Sequence, residues 1–137
     1  MLYFAYGSNL NICDMKRRCP DSVPISKVKL KNYTLVFNAY ADIIENSGDI
    51  LEGAIYEVSD MDIRKLDEYE EFPELYEKIN VEVEDEGSKK YKALVYIMVN
   101  KGSAEPEEKY FQSIAEGYKD WGLKLEPLET ARNKSRQ

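Results

Sequence analysis

Hydrophobic and polar positions along the chain recur in two rhythms, and each rhythm predicts its own kind of element. Leu2 to Tyr6 is a short apolar and aromatic run stopped by Gly7-Ser8-Asn9, which predicts a buried strand entering a tight turn. Leu10, Ile12, Met15 and Cys19 then mark a short amphipathic helix, with Asn9 or Asn11 as its N-cap and Pro20 as its stop. Val28, Leu30, Tyr33, Leu35 and Phe37 return to a period of two over Lys27 to Phe37, with one slip that predicts a bulge near Asn32. Asn46-Ser47-Gly48-Asp49 reads as a turn. Leu51 to Val58 follows as a strand, and Gly53 inside it predicts a close approach to the backbone.

Ser59 and Asp62 form a capping pair for a helix from about Asp60 to Glu70. Leu75 to Glu84 and Lys90 to Val99 read as a hairpin joined through Asp85-Glu86-Gly87-Ser88. Pro106, at a first helical position, opens a long helix whose apolar stripe includes Tyr110, Phe111, Ile114, Tyr118 and Trp121, and Gly122 stops it. The charge-rich segment from Thr130 predicts a frayed end, so the expected domain covers residues 1–128 and the tail residues 129–137. The elements together predict an α+β single domain.

A length of 137 residues with 43% in the hydrophobic set suits one core better than two. Nineteen Lys and Arg against 26 Asp and Glu give a net charge of −7, which repels phosphate backbones and argues against nucleic acid as a partner. No apolar run is long enough for a membrane span, and Met1 to Ala5 lacks the basic start of a signal peptide, so a cytoplasmic protein is expected. Cys13 and Cys19 fit neither a disulfide framework nor metal-ligand spacing, and both are expected to be reduced and structural. The most informative absence is histidine, which excludes His-based triads and His-ligated metals. Proton transfer is left to carboxylates, Tyr, Lys, Cys or the substrate.

One carboxylate stands out. Taking Ile63 as zero and about 100° per residue, Leu66 falls at about 300° and Glu70 at about 340°, while Asp67, Glu71 and Glu68 fall at about 40°, 80° and 140°. Glu70 therefore points along the apolar direction, where desolvation raises a carboxyl pKa toward the range useful for proton transfer. The other reading ends the helix near Glu68 and leaves Glu70 as an exposed cap or ion-pair partner. The second candidate is Tyr6-Gly7-Ser8-Asn9-Leu10, a turn between strand and helix that can aim backbone N–H groups at one anion, or serve simply as a turn and cap.

Phe4-Ala5-Tyr6-Gly7-Ser8-Asn9-Leu10, Gly53 to Ser59, Leu66-Asp67-Glu68-Tyr69-Glu70 and Tyr76 stand in an order that resembles the signature of the γ-glutamylcyclotransferase family. Pro106, Tyr110 and the segment from Gly117 to Leu123 are similar to the family's closing helix. The resemblance implies a mixed, barrel-like β-sheet with flanking helices and a pocket at the Tyr-Gly-Ser-Asn-Leu turn. It implies no metal and no organic cofactor. The implied reaction cleaves a γ-glutamyl amide by attack of the substrate's own α-amine on the γ-carbonyl, releasing 5-oxoproline and an amine. The implied acid/base residue is Glu70, the residue that the helical angles also select.

On that resemblance Tyr6, Gly7, Ser8, Asn9 and Leu10 are expected to bind substrate, with N–H groups from Gly7 to Leu10 on a carboxylate or an oxyanion and Tyr6 as a wall. Tyr76 matches a family tyrosine near the pocket, with packing as the alternative role. Tyr110 matches an aromatic of the closing helix, where its stripe position also suits the core, and Tyr3 and Phe4 are expected in the core. Many members follow the acid/base Glu with Gly, whereas this chain has Glu71, which leaves the local backbone shape open. The leaving group, among amino acids, a Lys ε-amine, polyamines and γ-glutamyl-protected antibiotics, is not specified, nor is the oligomeric state. Two other functions stand beside the cyclotransferase: a non-catalytic binder of a carboxylated metabolite on the same fold, and a hydrolase in which Glu70 activates water.

Overall fold

In a computed structural model describing residues 1–137, five strands close into a barrel in the order β1-β3-β2-β4-β5. They are β1 (Leu2–Ala5), β2 (Val23–Asn38), β3 (Tyr40–Glu57), β4 (Tyr76–Glu84) and β5 (Lys90–Met98). All neighbours pair antiparallel except β1 and β5, which meet in parallel at Tyr3 and Leu94, so the sheet is mixed. Four helices flank it: α1 (Ile12–Arg18), α2 (Asp60–Tyr69), α3 (Glu108–Asp120) and α4 (Glu126–Ser135). Closure leaves no long unpaired edge and encloses one core that includes Phe4, Ile55, Val95 and Ile114.

The hairpin of β4 and β5 and the cap of α2 lie where the pattern predicts them. The long hairpin of β2 and β3 differs. Its tight turn is at Ala39, which takes the left-handed region (φ 66°) without the glycine that announces such turns. Ala41, Asp42 and Ile43 are buried in succession, so β3 here shows no alternation and escapes a period-two reading. The bulge near Asn32 is present: Lys31 pairs with Ile50 and Tyr33 with Glu45, so residues 46–49 bulge opposite Asn32 alone. The expected turn at Asn46 to Asp49 is thus an excursion within one continuous strand, closed by the Gly48 N–H donating to Asn32 Oδ1 at 3.0 Å.

Gly53 does admit a close neighbour: a Cβ there would lie 2.5 Å from Ala5 O and 2.6 Å from the Phe4 ring, so glycine lets β1 and β3 meet. α3 starts at Glu108, two residues after Pro106, and ends with Gly122 in the left-handed region (φ 66°). Where residues 129–137 were expected to fray, α4 continues to Ser135. Two buried apolar residues explain this, since Leu128 and Ala131 join the core and outweigh the charges around them. Both thiols are free; Cys19 is buried, but Cys13, expected to be structural, is exposed.

Candidate active site

The position of Glu70 follows from how α2 begins and ends. Ser59 Oγ accepts from the Asp62 N–H and the Asp62 carboxylate accepts from the Ser59 N–H, both at 3.1 Å, which fixes the helix start. At the other end the Phe72 N–H donates to Asp67 O at 2.9 Å and the Glu71 N–H to Glu68 O at 3.2 Å. These are the two bonds of a Schellman termination, and they need a left-handed residue between helix and exit. Glu71 supplies it at φ 53°. The backbone shape that a glycine adopts freely is therefore kept by a glutamate, at a steric cost of about 1–2 kcal/mol. Glu70 is the cap, one residue beyond the helix that was expected to contain it, and it is half-buried rather than exposed.

The facing wall is the turn after β1. Residues Ser8–Leu10 form one 3₁₀ turn, with the Leu10 N–H donating to Gly7 O at 3.0 Å and the Asn11 N–H to Ser8 O at 3.1 Å. That leaves the N–H groups of residues 7–9, which a helical turn cannot satisfy from within. The turn is clamped from behind. Gly117 of α3 lies so close that a Cβ would sit 2.5 Å from Asn11 N, Trp121 Nε1 donates to Leu10 O at 2.9 Å, and Tyr56 Oη donates to Asn9 O at 2.8 Å. Gly7 faces Ala41, whose Cβ would be 3.1 Å from an added Cβ.

Between these walls lies a narrow cavity, open to solvent on one side. It brings together Tyr6, Gly7, Ser8 and Asn9 from the turn with Glu70, Tyr76 and Tyr110, from three separate parts of the chain. Leu10 does not join them. Its side chain is wholly buried in the core and its N–H is already bonded to Gly7 O, so the expectation that Leu10 binds substrate is corrected. The structure adds Tyr3, Ala41 and Tyr96. Tyr3, expected in the core, is buried there and lines the cavity as well; the signal for that second role is its hydroxyl, since a buried phenol usually needs a polar partner.

The hydrogen bonds around the cavity hold the phenols rigidly. Tyr6 Oη donates to Tyr96 O at 2.7 Å and Tyr76 Oη to Ala41 O at 2.6 Å. The Ala41 N–H donates to Tyr110 Oη at 2.9 Å. Tyr96 Oη donates to Asp67 Oδ1 at 2.6 Å, and Lys78 Nζ binds the same carboxylate at 2.9 Å. Ala41 is held in turn by its neighbour Asp42, a buried carboxylate that accepts from the Met98 N–H at 2.9 Å and from Lys101 Nζ at 3.0 Å. Burial pushes the phenols of Tyr3, Tyr6, Tyr76, Tyr96 and Tyr110 upward, so they remain neutral.

Glu70 is the exception among these groups. Desolvation pushes its carboxyl from the ordinary 4.5 to about 7, with the Arg18 charge pulling more weakly in the other direction. Its place at the C-terminus of α2, where the helix dipole is negative, acts in the same sense as desolvation. A carboxyl near 7 can take a proton from an ammonium and return it at neutral pH. No group of three or more His, Cys, Asp or Glu side chains is arranged to hold a metal ion, and no helix is long and apolar enough to cross a membrane.

The family model described as gamma-glutamyl cyclotransferase, AIG2-like matches residues 3–122. The gamma-glutamylcyclotransferase of Homo sapiens is 30% identical over 141 aligned positions, covering 93% of this chain and 75% of the human protein. The Bos taurus protein of the same name is 31% identical, covering 91% of this chain and 73% of the bovine one. Among solved structures, one described as a gamma-glutamyl cyclotransferase superimposes with a TM-score of 0.86 at 29% identity, over 96% of this chain and 86% of its own.

Proposed function

The chain belongs to the gamma-glutamyl cyclotransferase, AIG2-like family, and from that membership we propose that it cleaves a γ-glutamyl amide to 5-oxoproline and a free amine, with Glu70 as the single proton carrier. The enzyme class is the family's; the substrate and the roles of individual residues are our reading of the site. The observation that carries it is the placement of a half-buried carboxyl, tuned to about 7, across a tight cavity from a turn with unsatisfied N–H groups.

An α-ammonium is protonated near neutral pH and is no nucleophile until it loses a proton. Glu70 takes that proton, and the freed amine attacks the γ-carbonyl carbon to close a five-membered ring. The carbonyl oxygen becomes an oxyanion, which the N–H groups of Gly7, Ser8 and Asn9 are suited to stabilise. Glu70 then gives its proton to the departing nitrogen, and the oxyanion collapses as the amide C–N bond breaks. The ring nitrogen passes its second hydrogen as a proton, through Glu70, to the released amine, which leaves as its ammonium together with 5-oxoproline. No outside nucleophile is required. The site's work is to hold the glutamyl moiety folded, and the rigid phenol walls of Tyr6, Tyr76 and Tyr110 suit that task. Glu71, with its left-handed backbone intact, leaves Glu70 where a following glycine would leave it, so the altered residue gives no ground for reading the site as inactive.

The test is incubation with a panel of γ-glutamyl amides carrying neutral, acidic and cationic leaving amines, following 5-oxoproline and glutamate by mass spectrometry. α-N-acetylated substrates, which lack the internal nucleophile, are the controls. Release of 5-oxoproline from free but not acetylated substrates is expected. Release of glutamate from both would make the protein a hydrolase, and binding without product would make it a metabolite-binding protein.

A further inference from the structure

Arg18 is the last residue of α1 and lies outside the lining of the cavity, yet it touches two groups that shape it. Its Nη1 donates to Asn9 Oδ1 at 2.7 Å, and its guanidinium lies over the Tyr69 ring, 3.9 Å from the centroid. Tyr69 Oη is 2.8 Å from Ser8 Oγ. One side chain therefore ties α1 to the 3₁₀ turn and to the residue before Glu70.

The bond to Asn9 has a directional consequence. A guanidinium only donates, so the atom that meets it must be the amide oxygen, and the amide nitrogen must then face the other way. It faces Tyr3, where Asn9 Nδ2 donates to Tyr3 Oη at 3.0 Å. Tyr3 thus spends a lone pair on Asn9 and keeps its own proton free. Both Tyr3 and Asn9 are buried, and Tyr3 lines the cavity that holds Glu70. The other phenols sort by the same logic. Tyr6, Tyr76 and Tyr96 each commit their proton to a carbonyl or carboxylate of the protein, whereas Tyr110 accepts from the Ala41 N–H and retains its proton.

We propose that Arg18 is a positioning residue of this site: by fixing the Asn9 amide it sets Tyr3 as a hydrogen-bond donor into the cavity, toward an oxygen of the substrate. Without Arg18 the amide is free to rotate by half a turn, and Tyr3 then donates to Asn9 Oδ1 and withdraws its proton from the site. The inference rests on the cyclotransferase reading for the identity of that oxygen, a carbonyl or carboxylate of the glutamyl moiety, and on geometry alone for the direction of the proton.

Two experiments separate these parts. A neutron structure of the deuterated protein locates the Tyr3 hydroxyl deuterium. It is expected off the line to Asn9, with the deuterium on that line bonded to Asn9 Nδ2; a line deuterium bonded to Tyr3 Oη instead overturns the proposal whatever the protein catalyses. Kinetics on a γ-glutamyl amide then test the role, using the limiting kcat/KM where protonation of Glu70 no longer matters. Arg18→Met and Tyr3→Phe are each expected to lower it by on the order of tenfold. In the Tyr3→Phe background Arg18→Met is expected to cost less than about twofold more, because the group it acts through is gone. Arg18→Lys, which keeps a donor for Asn9, is expected to stay within about threefold of wild type. Independent, additive losses, or a Lys variant as poor as the Met variant, refute the role. Absence of 5-oxoproline from every amide with the wild-type protein refutes the cyclotransferase reading, and the deuterium position still decides the relay.

Discussion

Replacing Glu70 by Gln separates what the site needs for chemistry from what the fold needs for stability, because the two demands conflict at this residue. The folded-state pKa is raised from 4.5 to about 7, so the native protein holds a proton on Glu70 that the unfolded chain has already released. Its stabilising effect is complete below about pH 4.5 and is lost as pH rises through 7, the direction for an acid whose folded pKa lies above its unfolded one. At about 1.4 kcal/mol per pH unit, the ionised carboxylate weakens the fold by up to about 3 kcal/mol at pH 8. Gln is close to a neutral isostere of the protonated acid. Glu70→Gln should therefore abolish 5-oxoproline formation and yet gain up to about 3 kcal/mol at pH 8, with the gain vanishing near pH 4. Urea unfolding of both proteins at about pH 4, 6 and 8, read by tyrosine and tryptophan fluorescence, measures it. A stability difference that does not change with pH, or a Gln variant no more stable than wild type at pH 8, would refute the claim that Glu70 is desolvated in the native site. In the active protein the same group should appear as a rising limb of kcat/KM with a midpoint near 7.

Glu71→Gly should relieve the left-handed backbone and raise stability by up to about 1 kcal/mol in thermal unfolding with activity retained, while Glu71→Val should lower it; a neutral Val variant would contradict the observed φ of 53°. Gly117→Ala places a methyl 2.5 Å from Asn11 N and 2.6 Å from Leu10 C, so α3 must shift from the turn; a loss of about 2 kcal/mol and a fall in kcat/KM are expected, and an unperturbed variant would disprove the clamp. Asp42→Ala removes the acceptor of the Met98 N–H and the partner of Lys101, and should cost about 2–3 kcal/mol in urea unfolding and lower turnover as Ala41 loosens beneath Tyr76 and Tyr110.

Much of this molecule is legible in its sequence, for reasons that are local. Ser59 and Asp62 cap α2 across three residues, Asp85 to Ser88 turn the hairpin of β4 and β5, and Gly122 stops α3, each through bonds within a few positions. The absence of histidine narrows proton transfer to other groups before any fold is known. The angle of Glu70 on its helix is likewise a short-range property, and it singled out the carboxyl that the cavity contains.

What the tertiary structure alone decided arises from contacts between residues far apart in the chain. Barrel closure covers both faces of β3 at Ala41 to Ile43, erasing the alternation by which a strand is recognised, and α4 is held by two buried residues inside a charged segment. Leu10, expected at the substrate, went to the core because Gly117 and Trp121 clamp the turn from the far end of the chain, while Tyr3 kept its place in the core and gained a face on the cavity that Glu70, Tyr96 and Tyr110 complete. The chain specifies which residues are able to carry a proton or accept a bond. Only the closed fold determines which are desolvated and which way their protons point, since both depend on neighbours brought together from opposite ends of the sequence.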